Sequence, residues 1–197
     1  MRDRFLPVAL FAVLLGSGAR AHADPRGDVQ HAFSSILEAG GFRGHAQGNV
    51  FGPGLPALAG EVDVLFPDRI HARTDEIEFI ALGNRAWIST FGFWTPADRS
   101  LLPVTAFDMA AMRRAIAAIR DVRIEGTART QQCPAHVYHF STTGRLPAAG
   151  ADGELRAWLC DGSGRPARLE AADARSAEKL IFDFDWTRRP DVRAPQD

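Results

Sequence analysis

The sequence predicts an α+β domain: a strongly curved antiparallel sheet, an unclosed half-barrel, whose concave face is plugged by helices. Three features of the 197 residues carry this expectation. Segments with period-2 hydrophobicity recur in two runs, from Phe42 to Thr95 and from Val122 to Trp186, the pattern of half-buried antiparallel strands. Only two segments have helical spacing, and each stands ahead of one strand run. Turn-forming pairs punctuate the strands at short intervals. Two helices would have no natural place on a flat two-sheet sandwich, so one bent sheet wrapped around them is the more economical architecture.

The chain opens on a segment with a different purpose. Arg2 and Arg4 precede an apolar stretch from Phe5 to Leu15, and Ala21-His22-Ala23 places small residues where a signal peptidase cuts. That stretch is far short of the ~20 residues a membrane span needs. Residues 1–23 are therefore expected to be a cleaved signal peptide, leaving a periplasmic or secreted protein that begins at Asp24. The first cysteine is Cys133, so no thiol near the cleavage site offers itself for lipid attachment.

A first helix is expected from about Pro25 to Ala39. Pro25 suits the first turn, Val29, Phe33, Ile36 and Leu37 recur at helical spacing, and Gly40-Gly41 ends the pattern. Strands follow. Val62, Val64 and Phe66 alternate with Glu61, Asp63 and Leu65, Ile70 and Ala72 with His71 and Arg73, and Ile77, Phe79 and Ala81 with Glu78 and Ile80. Pro67-Asp68, Thr74-Asp75 and Gly83-Asn84 fall between them as turns. A second helix is expected over Phe107 to Ile119, where Met109, Met112, Ile116 and Ile119 recur at spacings of three and four and Asp108 flanks the start. Five more strands complete the domain, over Val122 to Thr130, His136 to Thr142, Leu155 to Leu159, Arg165 to Ala172 and Lys179 to Trp186. The last carries Leu180, Phe182, Phe184 and Trp186 on one face. A single domain over 24–189 and a frayed polar tail over 190–197 are the expected organisation.

Two cysteines in an oxidising compartment are expected to be bonded. If Ala135 to Thr142 pairs with Gly153 to Cys160 as a hairpin with Phe140 opposite Gly153, the same register sets Cys133 opposite Cys160, at disulfide separation. Such a bond is structural. No Cys-x-x-Cys spacing lowers a thiol pKa here.

Composition excludes several classes. The leader removes three of 23 basic and one of 24 acidic residues, so the exported chain is mildly acidic and offers no concentrated basic face for nucleic acid or an anionic membrane. Eleven of the 13 Phe and all four Trp lie beyond the leader against one Tyr, an aromatic set that favours a dry environment. His136 and His139 stand three apart on a strand and face opposite ways, so they cannot share a metal. Gly162-Ser163-Gly164 is a hairpin turn, not a nucleophile elbow, because a strand follows it. Gly52-Pro53-Gly54 lacks the Lys and hydroxyl of a phosphate-binding loop. No convergent acid, base or nucleophile emerges, so no catalytic residue, metal or cofactor is expected.

The segments Val62 to Ile70, Gly83-Asn84-Arg85-Ala86-Trp87-Ile88 and Trp94-Thr95-Pro96 form the progression strand, Pro-Asp, strand, Gly turn, aromatic strand, Trp-Thr. Together with Trp158 to Glu170, in which a strand ends in an acidic Gly turn and the next begins near a Pro, this progression resembles the LolA-like and LprG/LppX-like periplasmic lipid-handling proteins. The resemblance spans nearly the whole exported chain. It implies an unclosed barrel whose helices cover a hydrophobic cavity, and binding of an acyl chain, lipid or lipidated peptide by a non-enzymatic carrier. The implied lining is Val62, Val64, Phe66, Ile77 and Phe79, then Met109, Met112 and Ile116 of the lid helix, then Leu180, Phe182, Phe184 and Trp186. At one position the chain departs from the pattern. Lipoprotein carriers tend to have a basic residue before the Pro of the turn, where it helps hold the lid, and Phe66 stands there. The alternative reading is an envelope interaction module with a filled core that docks on a protein partner through Phe91 to Trp94.

Overall fold

In a computed structural model of the chain, the residues described are 24–48, 58–98, 108–144, 146–147, 153–172 and 179–195. Helix α1 spans Pro25–Glu38 and α2 spans Met109–Ala117. The strands are β1 Gly41–Gly48, β2 Leu58–Leu65, β3 Arg69–Thr74, β4 Ile77–Leu82, β5 Arg85–Thr90 and β6 Phe93–Pro96. After α2 come β7 Arg120–Arg129, β8 Pro134–Thr142, β9 Gly153–Cys160, β10 Pro166–Ala172 and β11 Lys179–Phe184. They form a single sheet in the order β6-β5-β4-β3-β2-β1-β11-β10-β9-β8-β7, antiparallel throughout, with β6 and β7 as its two edges. The architecture is the expected unclosed, curved α+β half-barrel.

Helix α1 starts on Pro25 and buries Val29, Ala32, Phe33, Ile36 and Leu37 on one stripe. Gly40, at φ +76°, closes it in the left-handed turn that favours glycine. In α2 the Asp108 carboxylate caps the start, accepting from the N–H of Ala110 at 2.8 Å and Ala111 at 3.0 Å. The two helices are tied by Gln30, whose Nε2 donates to the Ile116 carbonyl at 3.2 Å, and by Arg26, which donates to Ala117 O at 3.1 Å. The principal contacts of α1 are with α2, β1, β7 and β9. Its Phe33 ring meets Phe140 of β8 at 5.9 Å, and the one tyrosine, Tyr138, donates its hydroxyl to Asp28 at 3.1 Å. Burial and that acceptor push the Tyr138 hydroxyl far above its ordinary pKa.

Strand β1, at the centre of the sheet, is an element that period-2 alternation does not single out. Its sequence, Gly-Phe-Arg-Gly-His-Ala-Gln-Gly, has only two apolar side chains on the buried face, yet it joins the two halves of the sheet by pairing with both β2 and β11. A Cβ on Gly44 would overlap the Asp183 carbonyl and the Phe182 ring. Glycine there permits a close approach that a side chain would block.

The disulfide Cys133–Cys160 is present, with a Cα–Cα distance of 5.6 Å, but the register behind the expectation is corrected. Phe140 pairs with Leu155, not Gly153, and Cys160 pairs with Ala135. Cys133 lies beyond the paired residues in the β7–β8 turn, which is held back by Thr130: its Oγ1 donates to Cys133 O at 2.9 Å and accepts from Cys133 N–H at 3.1 Å. The turn, rather than ladder register, brings the sulfurs together. Closing 27 residues stabilises the fold by roughly 3.5 kcal/mol in the chain-entropy picture.

The segment beyond Arg189, expected to fray, makes contacts: Val192 is buried and Asp191 N–H donates to the Asp63 carboxylate at 3.4 Å.

Candidate functional site

The registers of β2 to β6 lay the concave face out in three cross-strand rows. The innermost runs Val64, Ile70, Ala81, Ala86, and is closed by Ala97, whose N–H donates to Ala86 O at 2.9 Å. The middle row runs Val62, Ala72, Phe79, Ile88, Thr95. In the outer row Gly60 pairs with Thr74, and Ile77, Thr90 and Phe93 continue the line. Exposure climbs from row to row and from β2 towards β6. Val64, Ile70, Ala81 and Ala86 are buried, Phe79 and Ile88 half-buried, and Ile77, Thr90 and Phe93 exposed. This incline of alanine, valine and isoleucine, with the Phe79 ring at its centre, is covered at its inner end and opens as a trough only from Phe79 and Ile88 towards β6.

The expected lining residues divide into three groups. Val62, Val64, Met112, Ile116, Leu180, Phe182 and Phe184 are buried within the hydrophobic core. Phe182 and Phe184 pack at 4.8 Å and both meet Phe42, at 5.4 and 6.0 Å. Phe66, Phe79, Met109 and Trp186 are partly buried against that core, and Ile77 is 42% exposed. Of the set, Val62, Val64, Phe79 and Ile77 stand together in the three rows. Trp186 lies beyond the end of β11, stacked on Phe184 at 5.7 Å, with its indole N–H donating to Pro166 O at 2.6 Å and the Arg165 guanidinium 5.3 Å from its ring. Ile116 also borders a groove of about 450 Å³ between α1 and α2, shared with Gln30, Ser34, Leu37, Glu38, Arg113 and Ala117.

Sequence reading does not assign Ile70, Ala72, Ala81, Ala86, Ile88 and Phe93 to the lining of the concave face. The signal was present: the three tight turns at Pro67-Asp68, Thr74-Asp75 and Gly83-Asn84 fix the registers of four strands, and following them across the sheet assigns the rows.

The opposite face carries ion pairs on β1 to β4 and, from β4 to β6, the apolar Ile80, Trp87 and Trp94, of which Ile80 is buried. Arg43 of β1 donates to Asp63 at 3.0 Å and to Glu61 at 2.8 Å, and lies 3.8 Å from Asp185. Burial pushes the Asp63 carboxyl above its ordinary range, and this outweighs the opposing pull of Arg43. Beside them, His71 contacts Glu78 at 2.5 Å and Arg73 contacts it at 3.1 Å. Burial pushes Glu78 up, but these hydrogen bonds prevail and its pKa ends below the usual value. The arrangement is an outer-surface ion-pair lattice. His136 and His139 meet different carboxylates, Asp161 at 3.5 Å and Glu154 at 3.0 Å. Among the described residues no group of three or more His, Cys, Asp or Glu could hold a metal ion. Among them, too, no helix is long and apolar enough to cross a membrane.

No protein-family model matches the chain, and no curated protein matches it. Solved structures do. LprF from Mycobacterium bovis superposes with a TM-score of 0.62 at 10% identity, over 88% of this chain and 97% of that one. The lipoprotein LppX from Mycobacterium tuberculosis gives a TM-score of 0.53 at 15% identity, over 84% of this chain and 98% of that one. At these identities the likeness is one of fold, and the fold is the LprG/LppX-like half-barrel that the motifs resemble.

Proposed function

We propose that this protein is a non-enzymatic carrier for a hydrophobic ligand, an acyl chain, lipid or lipidated peptide, which lies in the trough of β2 to β6. The observation that carries the reading is the graded concave face. Its inner residues are apolar and buried, Phe79 and Ile88 are half-buried, and Ile77 and Phe93 reach solvent beside Thr74, Thr90 and Thr95, while the charges of the same strands are gathered on the other face. An acyl chain laid along the incline would be held by burial at ~0.8 kcal/mol per methylene. With threonine hydroxyls as the only polar side chains in the rows, selectivity between chains of similar length is broad. The disulfide agrees with an exported protein. The leader at residues 1–23 lies outside the described residues and stands with the export proposal.

Titration of delipidated protein with a fluorescent fatty acid tests this. The expected result is saturable binding that Ile88→Asp weakens at least tenfold, because a carboxylate in the middle row must be desolvated under the chain. Equal affinity in the variant would remove the trough from consideration.

A further inference from the structure

We propose that the β5–β6 hairpin tip, with Ile77 of the adjoining β4, is a membrane-contact element, where Phe91, Phe93 and Ile77 enter the interfacial layer of a zwitterionic lipid surface. The exposed large hydrophobic residues among those described are Ile77, Phe91, Phe93 and Ile124, and three of the four gather at this one corner. Ile77 and Phe93 flank Thr90 in the outer row, and Phe91 follows it directly. Phe91 is 96% exposed and Phe93 76%.

The backbone adds an independent argument. Phe91 has φ +53° and Gly92 φ +82°, so both central residues of this two-residue turn are left-handed, as a type I′ hairpin requires. Asn, Asp or Gly is the ordinary occupant of the first position. A phenylalanine there is disfavoured twice, by its backbone and by water. Neither penalty has a structural return, since the ring meets almost nothing in its own chain.

The size and charge of the patch choose the partner. Two phenylalanines and an isoleucine, wholly covered, amount to roughly 500 Å², below the ~800 Å² per side of a stable protein interface. A protruding tip with no groove suits reversible dipping into lipid. The only charges in residues 74–77 and 90–94 are Asp75 and Glu76, both exposed, so anionic headgroups repel this corner. The tip also continues inward: Ile77 and Phe93 adjoin the middle row of Phe79 and Ile88, giving a chain that leaves a bilayer an apolar path into the trough. That path rests on the proposed carrier role, whereas the lipid contact stands without it.

Flotation with phosphatidylcholine vesicles tests the proposal on the purified protein and on Phe91→Asn, a substitution that suits the left-handed turn. The expected results are co-flotation of the parent, at least a tenfold loss in Phe91→Asn, a melting temperature in the variant equal to or above the parent's, and weaker flotation at low salt when phosphatidylglycerol is added. Absence of the parent from phosphatidylcholine vesicles, or flotation of Phe91→Asn within twofold of the parent, would overturn it. So would a lower melting temperature in the variant, which assigns Phe91 to the fold, or site-specific crosslinking of position 91 to one protein in a parent that ignores vesicles. Fluorescent fatty-acid affinity without vesicles is expected to be the same in both proteins. Failure of that titration in the parent would strike the carrier reading and leave the vesicle result to be judged alone.

Discussion

The two ends of this one sheet treat their concave faces differently. On β8 to β11 the inward residues are mostly large, with Tyr138, Phe140, Leu155, Leu159, Leu169 and Phe182 beside Ala157 and Ala171, and these are buried with helix α1 lying against β7 and β9. In the inner and middle rows of β3 to β5 the residues are Ile70, Ala72, Phe79, Ala81, Ala86 and Ile88, half of them alanine, and the face opens towards β6. Strand geometry and antiparallel pairing are the same in both. Side-chain volume and the presence of a helix distinguish the two ends: rings and leucines beside α1 pack one end to interior density, while on β3 to β5 Ile70 and the alanines are covered as well and burial falls away only from Phe79 and Ile88 towards β6.

Matched truncations sharpen the comparison. Phe140→Ala should cost about 3–5 kcal/mol in chemical denaturation, since the ring is fully buried against Phe33 and a cavity would remain. Phe79→Ala, at a half-buried ring, should cost about 1 kcal/mol while weakening acyl-chain binding severalfold. Equal stability losses at both sites would break the distinction, for then Phe79 is core.

The smallest effect concerns the outer face. Because the Glu78 carboxyl is held below its usual value by His71 and Arg73, its ionised form favours the folded chain. That contribution is complete above the ordinary glutamate pKa of 4.5 and is lost as pH falls through the lower folded value. Asp63 acts in the opposite sense: its raised pKa favours folding at low pH, and this share fades as pH rises from its ordinary value of 3.8 through the folded one. Glu78→Gln should flatten the acid limb of the stability profile by no more than about 1 kcal/mol, with acyl-chain binding untouched. A change in binding would mean that the two faces are coupled.

Both helices and eight of the eleven strands announce themselves in the sequence through period and turn residues, because each buries one face against one partner layer, while β5 is marked only by the family resemblance and β6 is not singled out. Neither is strand β1. Its glycines are there to let β2 and β11 pass close, a demand set by the tertiary fold and silent in local hydrophobicity. The disulfide pairing was legible while its register was not, since the Thr130 turn curls Cys133 back by a local hydrogen-bond pattern that alternation cannot encode. For the site, hydrophobic alternation marks Phe79 and Phe182 alike as inward. Only the third dimension separates a ring packed against Phe42 and Phe184 in the core from a ring on an open incline, which is why the expected lining mixes core residues with trough residues.

Native mass spectrometry of the protein purified after export, without delipidation, tests the central claim most directly. The account predicts a population carrying apolar adducts of mixed chain length that organic solvent releases, and their absence from Ile88→Asp. A single ligand-free mass in the parent, unchanged after incubation with fatty acid, would contradict it.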